Sequence, residues 1–279
     1  MPVAATEPDL SSLKLKGFNM TWGKNKLKEI LGRGEVALGT CVYTFSPALV
    51  ELAGHCGLDF CRIDNEHAWR QDESVENMMR AAHVGGIVPL LRIDRDNPYL
   101  VRKALEAGAG GIIVPHVNTA REVEEVVQAA KFPPRGHRGY GGLCWSGKWG
   151  ANAGPEWVRW SDEETMVWVM IEDHRALENL DAIMSVEGLD AVQFGPADYS
   201  FSIGVPGQTS HPRVMEALKK IVEAARKHGK AVCMGVGFPW AENAGKFIEM
   251  GCQLIEFGHD VTILQNVWKR TLAEVRGKG

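Results

Sequence analysis

No stretch of the 279 residues approaches the roughly 20 consecutive apolar side chains that span a bilayer, which removes a helical membrane anchor from the expectations. An excess of positive charge is missing as well. The 31 Lys and Arg stand against 35 Asp and Glu, for a formal net charge of -4, so the chain carries no electrostatic footprint for nucleic acid. The six cysteines, Cys41, Cys56, Cys61, Cys144, Cys233 and Cys252, form no C-x-x-C pair and sit in or beside apolar runs. They read as reduced, buried fillers rather than as zinc ligands or disulfides. Residues 1–10 hold Glu7 and Asp9 and no hydrophobic core, unlike a secretory signal. Together these gaps predict a cytoplasmic protein. Nor does any G-x-G-x-x-G open a helix after the first strand, as a dinucleotide site would require; Gly139, Gly141 and Gly142 cluster in a loop after Pro133-Pro134.

What the chain does have is alternation. Residues 1–23 are mixed and turn-like, an N-terminal extension, and 24–31 predict a first helix that closes the bottom of the domain. Strands are then expected over 37–43, 59–63, 88–93, 111–114, 166–171, 191–194, 231–236 and 253–257. Helices are expected over 47–56, 75–83, 99–107, 120–131, 176–186, 212–228, 241–250 and 261–275. Eight strand-helix pairs without a linker or a composition shift favour one α/β domain over 24–279, a single (β/α)8 TIM barrel rather than an open doubly wound sheet.

In such a barrel, chemistry is built at the carboxyl ends of the strands. The stretch from Met166 to Asp198 reads as one β-α-β unit whose strands end in Glu172 and Asp198, so both acids are expected side by side on one rim. Either acid alone could be a helix N-cap; two together ask for a cation. With no close Cys or His cluster to favour zinc, the expected cofactor is a hard divalent ion such as magnesium or manganese, with cobalt as a further choice. The same rim collects Asp64 and His67 after the second strand, Arg92 after the third, His116 after the fourth and His259 and Asp260 after the eighth. Arg92 offers a fixed cation for a 2-oxo oxygen or its enolate, and His67 a proton acceptor oriented by Asp64. An ion pair for Arg92 and a packed rim position for His67 are the structural alternatives. His116, His174 and His259 are expected in supporting roles.

The segments Ile63-Asp-Asn-Glu-His-Ala68, Val114-Pro-His-Val-Asn-Thr-Ala120, Phe132-Pro-Pro-Arg-Gly-His-Arg-Gly139, Met170-Ile-Glu172 and Phe194-Gly-Pro-Ala-Asp198 resemble the motifs of the HpcH/HpaI aldolases. These are class II, pyruvate-dependent enzymes that act on 2-oxo acids. The resemblance runs from about residue 38 to 260. It implies a carbon-carbon lyase that cleaves a 4-hydroxy-2-oxo acid to pyruvate, or a relative, and an aldehyde through an enolate supported by the metal. Carried over, it implies that Glu172 and Asp198 bind the metal, that Arg92 steadies the enolate, and that His67 with Asp64 handles the hydroxyl proton. The backbone of Gly195, Pro196, Ala197 and Asp198 would cradle the substrate carboxylate. It further implies a homohexamer with exchanged carboxyl-terminal helices.

Three departures stand out: Met170 where the family often has Gln, Glu106 where an Asp that supports the base is common, and Tyr199 for a frequent Leu. They keep open a decarboxylase or carbon-carbon bond-forming enzyme that uses an oxaloacetate-like enolate. A relative class that cleaves acyl-CoA esters would want a basic surface that the sequence does not single out. From another class, a non-catalytic barrel that binds an acidic or aromatic ligand is the remaining rival. Five of the nine tryptophans lie between Trp145 and Trp168, in the connection before the fifth strand. They are expected either to pack beneath the loop or at a subunit contact, or, as Trp145 and Trp149 with Trp69, to line a pocket for the electrophile.

Overall fold

A computed structural model describes residues 23–67, 72–95, 97 and 99–277. The extension over 1–22 and Trp69 lie outside the described residues. Within them the chain runs α1 (Lys26–Gly32), β1 (Ala37–Val42), α2 (Pro47–His55), β2 (Phe60–Asp64), α3 (Asp72–Gly85), β3 (Val88–Arg92), α4 (Tyr99–Ala107), β4 (Gly111–Val114) and α5 (Ala120–Ala130). It continues through α6 (Pro155–Glu164), β5 (Met166–Ile171), α7 (His174–Glu178), α8 (Leu180–Met184), β6 (Ala191–Phe194), α9 (Pro196–Ser202), α10 (Pro212–Lys227), β7 (Ala231–Val236), α11 (Trp240–Glu249), β8 (Leu254–His259) and α12 (Asp260–Val275). The eight strands are parallel and close in sequence order, with β8 pairing β1 across an irregularity between Gly39 and Cys41.

Two apolar cores result from strand alternation. Outward residues such as Val42, Ile63, Leu91, Val114, Val169 and Val192 pack under the helices. Inward ones, including Phe60, Leu90, Ile113, Met166, Trp168 and Leu254, fill the barrel from below. The first helix seals that end. Asn25 caps α1 by accepting the Leu27 N–H at 3.0 Å, and its amide donates to the carbonyls of Gly110 and Glu164, both at 2.9 Å. So anchored, α1 drives Leu27 and Ile30 into the barrel floor.

The expected helix over 176–186 is instead two short helices broken at Asn179. Its side-chain amide donates to the carbonyls of Asn118 and Arg175, both at 3.0 Å, in place of a regular helical turn. Two helices escaped the sequence reading. In α6 only Trp157 and Ser161 are buried, too sparse a stripe to register, and α9 begins with Pro196 inside the stretch read as a strand exit. The last helix, α12, buries only Asp260; Val261, Val267, Trp268, Leu272 and Val275 are exposed in this chain.

Candidate active site

At the carboxyl end of the barrel the inward positions turn from apolar to charged. Asp64 and Arg92 end β2 and β3 and are register partners. Below them Arg62, two residues before Asp64 and so on the same face, donates through Nε and Nη2 to both oxygens of Glu256 on β8 at 2.7 Å. Its Nη1 donates to Asp64 Oδ2 at 2.9 Å, and Arg92 Nη2 donates to that same oxygen. The other carboxylate oxygen accepts the backbone N–H of Glu66 at 3.1 Å and of His67 at 3.4 Å. Burial alone would raise the pKa of Asp64, but the two guanidinium charges, Arg92 first, outweigh it and hold the carboxyl below its usual value.

A chain of groups leads from there to Glu172. Arg92 Nη1 lies 3.0 Å from Glu66 Oε2, and Glu66 Oε1 lies 3.2 Å from His116 Nε2. His116 Nδ1 is 3.1 Å from Glu172 Oε1, and the same oxygen accepts the His116 backbone N–H at 2.6 Å. His116 reaches this double contact in the left-handed region, at φ 55°. That conformation costs a side-chain-bearing residue on the order of 1–2 kcal/mol, and such strain concentrates at functional sites. Glu172 is buried, which raises its pKa; the His116 hydrogen bond and charge oppose that, while the negative charges of Asp198 and Glu66 add to it. Gly195 gives this carboxylate its room, since a Cβ there would stand 2.6 Å from Glu172 Oε2.

The donor set fits a divalent cation. On this rim two arginines, Arg62 and Arg92, face five carboxylates: Asp64, Glu66, Glu172, Asp198 and Glu256. Both guanidinium groups are spent on Asp64, Glu66 and Glu256. Neither arginine pairs with Glu172 or Asp198; His116 meets Glu172 at Oε1, while the two acids repel each other and Oε2 faces the close-packed Gly195. Among the described residues one other set, Cys41, Glu256 and His259, brings its ligand atoms within 4.8 Å of one another. It suits a metal poorly, because Arg62 already holds both oxygens of Glu256 and burial pushes the Cys41 thiol up, keeping it protonated.

The other expected site residues divide. Met170 is buried beneath the rim with its sulfur 3.7 Å from Arg92 Nη1. The His67 ring is 53 % exposed and lies 3.6 Å from Glu66 Oε2; Asp64 reaches His67 only through its backbone, because the two arginines occupy the carboxylate that was expected to orient the ring. In the cradle, Pro196 has no N–H and the Gly195 N–H is spent on the Ile171 carbonyl at 3.0 Å, so the first-turn donors are those of Ala197 and Asp198. Tyr199 is buried against Phe194 with ring centroids 5.5 Å apart. Asp260 instead ties down the β1 exit by accepting the N–H groups of Tyr43 at 2.9 Å and Thr44 at 3.0 Å. His174 is a surface residue 3.3 Å from Asp173.

Glu106, Trp145 and Trp149 are not brought to Glu172, Asp198 or His67 within this chain; they line a groove between α3 and α4 on the outer wall. The tryptophan-rich connection runs between α5 and β5, and it reaches Asn65 and Leu91 behind β2 and β3 through that groove. Trp157 is buried with Phe132 and Tyr140, and Trp168 faces Phe60 inside the barrel.

Arg62, Glu66 and Glu256 join the site beyond the residues expected from the sequence. The signal for Arg62 was available: a charged residue mid-strand, on the same face as Asp64. Nothing local tied Glu256 to it across 194 residues.

Known proteins share both this fold and much of this sequence. The chain is 32 % identical to a hydroxypyruvate/pyruvate aldolase of Pseudomonas aeruginosa over 91 % of its own length and 92 % of that protein's. It is 33 % identical to a 2-keto-3-deoxy-L-rhamnonate aldolase of Klebsiella pneumoniae, covering 89 % and 92 %. Among solved structures, the citrate synthase SbnG superposes with a TM-score of 0.82 at 31 % identity, covering 92 % of this chain and 99 % of that one. The family model for HpcH/HpaI aldolase/citrate lyase matches residues 39–267, and the chain therefore belongs to that family of carbon-carbon lyases.

Proposed function

We propose that the protein is a divalent-metal-dependent aldolase that cleaves a 4-hydroxy-2-oxo acid to pyruvate, or a closely related 2-oxo acid, and an aldehyde. The observation that carries this reading is the arginine-carboxylate chain running from Asp64 through Arg92, Glu66 and His116 to Glu172, set over an apolar barrel floor. Glu172 and Asp198 are the residues to hold the ion, and a divalent cation there supplies positive charge beside the oxygens of a 2-oxo acid.

The chain's own groups do the rest. His67, at the mouth of the site, takes the proton of the C4 hydroxyl as the C3–C4 bond breaks and the C4–O bond becomes the aldehyde carbonyl. The electron pair stays with C3 as an enolate, and Arg92 is fixed by Asp64 and Glu66 to face the charge that gathers on its oxygen. Protonation at C3 then gives the 2-oxo acid. The N–H groups of Ala197 and Asp198 at the start of α9 receive the substrate carboxylate. His116 holds Glu172 by two bonds and so positions it. A homo-oligomer, of hexameric kind, would cover the exposed apolar residues of α12.

Decarboxylation or bond formation with an oxaloacetate-like enolate is the second reading, favoured by Met170, whose thioether lies against Arg92 where a stronger hydrogen-bonding group would hold the 2-oxo acid. Pyruvate release is to be measured from a panel of 4-hydroxy-2-oxo acids and from oxaloacetate, with magnesium or manganese and again after chelation. Release from a hydroxy-oxo acid, lost on chelation and in Glu172→Gln, is expected. Turnover of oxaloacetate alone would replace cleavage by the second reading, and indifference to chelation would remove the metal.

A further inference from the structure

Gln193 brings a neutral polar side chain into the barrel. It lies on β6 between Val192 and Phe194, which pack outward under the helices, so strand alternation turns Gln193 inward. Its register partners are Met170 on β5 and Cys233 on β7, both of the inner core. The residue is 4 % exposed, and its Oε1 is buried with no hydrogen-bond partner among the described residues. Buried amides are ordinarily satisfied. The indole N–H of Trp168, one step lower on β5, is unpaired as well, so the amide is not spent on the donor beneath it.

The amide stands just below the residues expected to hold the ion. Met170 comes two residues before Glu172 on the same face of β5, and its sulfur lies 3.7 Å from Arg92 Nη1. Gly195, two residues after Gln193, is close enough that a Cβ there would lie 2.6 Å from Glu172 Oε2 and 3.4 Å from Met170 Cε. On the other flank the barrel is open. Gly235 of β7 faces inward between the outward Met234 and Val236, and a Cβ on it would meet only Glu256 Oε1, at 3.8 Å. Gly235 is also the one residue of β7 that is not fully buried, so water reaches this flank from the rim.

An amide has an acceptor end and a donor end. Pyruvate offers nothing to the acceptor, since its carboxylate and 2-oxo oxygens only accept and its methyl is apolar. A hydroxyl both donates and accepts, and so satisfies the amide whichever end faces it. In the aldolase reading the enolate oxygen faces Arg92, the carboxylate faces the N–H groups of Ala197 and Asp198, and the aldehyde departs towards His67 at the mouth. A further substituent on C3 is then left on the barrel side. We propose that Gln193 is a specificity-determining residue that binds a hydroxyl on C3 of the 2-oxo acid, with Gly235 leaving the room for it. The inference rests on the aldolase reading and names its donor class: 3-hydroxy-2-oxo acids in preference to pyruvate.

The test compares hydroxypyruvate, pyruvate and 2-oxobutanoate, the last matching the hydroxyl in size but not in polarity, on the full chain with magnesium. Affinity is read by calorimetric titration, and enolate formation by deuterium exchange at C3 in heavy water. Hydroxypyruvate should bind at least about tenfold more tightly than either of the others. Gln193→Leu should erase that preference, moving the ratio of dissociation constants by at least about tenfold. If this variant does not fold, Gly235→Ala decides the matter, because it keeps the amide, fills the space and should weaken hydroxypyruvate relative to pyruvate. Equal binding of hydroxypyruvate and 2-oxobutanoate, or a preference that survives either substitution, would overturn the proposal. Exchange absent for every donor, with a calorimetric preference that still depends on Gln193, would overturn the aldolase reading and leave the hydroxyl site standing. No binding of any of the three acids would remove both.

Discussion

The inside of this barrel is two different materials stacked on the same strands. Its lower half is apolar, with Phe60, Leu90, Ile113, Met166, Trp168 and Leu254 closed from below by Leu27 and Ile30 of α1. Its upper half is ionic, with Arg62, Asp64, Arg92, Glu172 and Glu256 all nearly inaccessible to water. One strand can serve both: β2 points Phe60 into the lower layer, then Arg62 and Asp64 into the upper. The lower layer stabilises by burial alone and tolerates exchange at constant volume. In the upper layer each charge is tolerable only because a partner meets it, so these groups hold positions more than they add stability.

Glu172→Gln should separate the two halves most widely. Turnover is expected to fall about a thousandfold, and divalent-ion affinity to fall with it, since the amide keeps the shape and the contact with the His116 N–H but loses the charge. In chelator at neutral pH the same variant should melt higher than the parent, because burial and the negative charges of Asp198 and Glu66 disfavour the ionised acid in the folded parent. Scanning calorimetry and isothermal titration check both. A lower melting temperature would mean that the upper half is a stability element after all.

Glu256→Leu asks whether the ionic layer is held by pairing. It leaves Arg62 buried with one of its two carboxylate partners gone, and a loss of about 3–5 kcal/mol in urea unfolding is expected. Replacing Arg62 by Met in addition should recover most of that loss while lowering turnover, because Asp64 then has Arg92 alone to hold it. If the double variant is no more stable than the single one, the pair contributes through packing and not through charge. In the lower half, Leu27→Ala should cost about 2–5 kcal/mol by opening a cavity under the barrel floor, with kcat and KM unchanged.

The same division decides what the sequence could tell. Strands buried on both faces announce themselves as short apolar runs, so 111–114, 166–171, 191–194 and 231–236 match the observed strands β4 to β7 residue for residue. The rim residues were legible too, because the fold places strand ends at one edge: Asp64, Arg92, His116 and Glu172 do meet there. What was not legible depends on closure. Only when β8 pairs β1 does Glu256 come within reach of Arg62, and no local pattern announces a contact across 194 residues. The expected pairing of Asp64 with the His67 ring gives way for the same reason: Arg62, held by its distant partner Glu256, and Arg92 occupy the Asp64 carboxylate. Of the tryptophans in the connection before β5, Trp157 packs with Phe132 and Tyr140, whereas Trp145 and Trp149 line the groove between α3 and α4, a division that depends on tertiary contacts and not on loop length or composition.

The smallest expected effect is the most direct comparison of two acids within the upper half. Asp64 has a folded-state pKa below its ordinary value of 3.8, so the stability it contributes is fully present above about that pH and is lost as the pH falls towards the folded value. Glu172 has a folded-state pKa above its ordinary value of 4.5, so it binds its proton more tightly when folded. Its effect has the opposite sign: the folded state is penalised progressively as the pH rises from about 4.5 through the raised value. Melting temperatures from pH 3 to 8 in chelator should therefore show two variants moving oppositely against the parent. The deficit of Asp64→Asn should narrow below about pH 4, where Asp64 of the unfolded parent takes up its proton before that of the folded parent does. The advantage of Glu172→Gln should vanish at the acid end and grow towards neutrality. Parallel curves for both variants would mean that the two carboxyl groups titrate as one coupled unit, with the chain from Asp64 to Glu172 sharing its protons rather than dividing them.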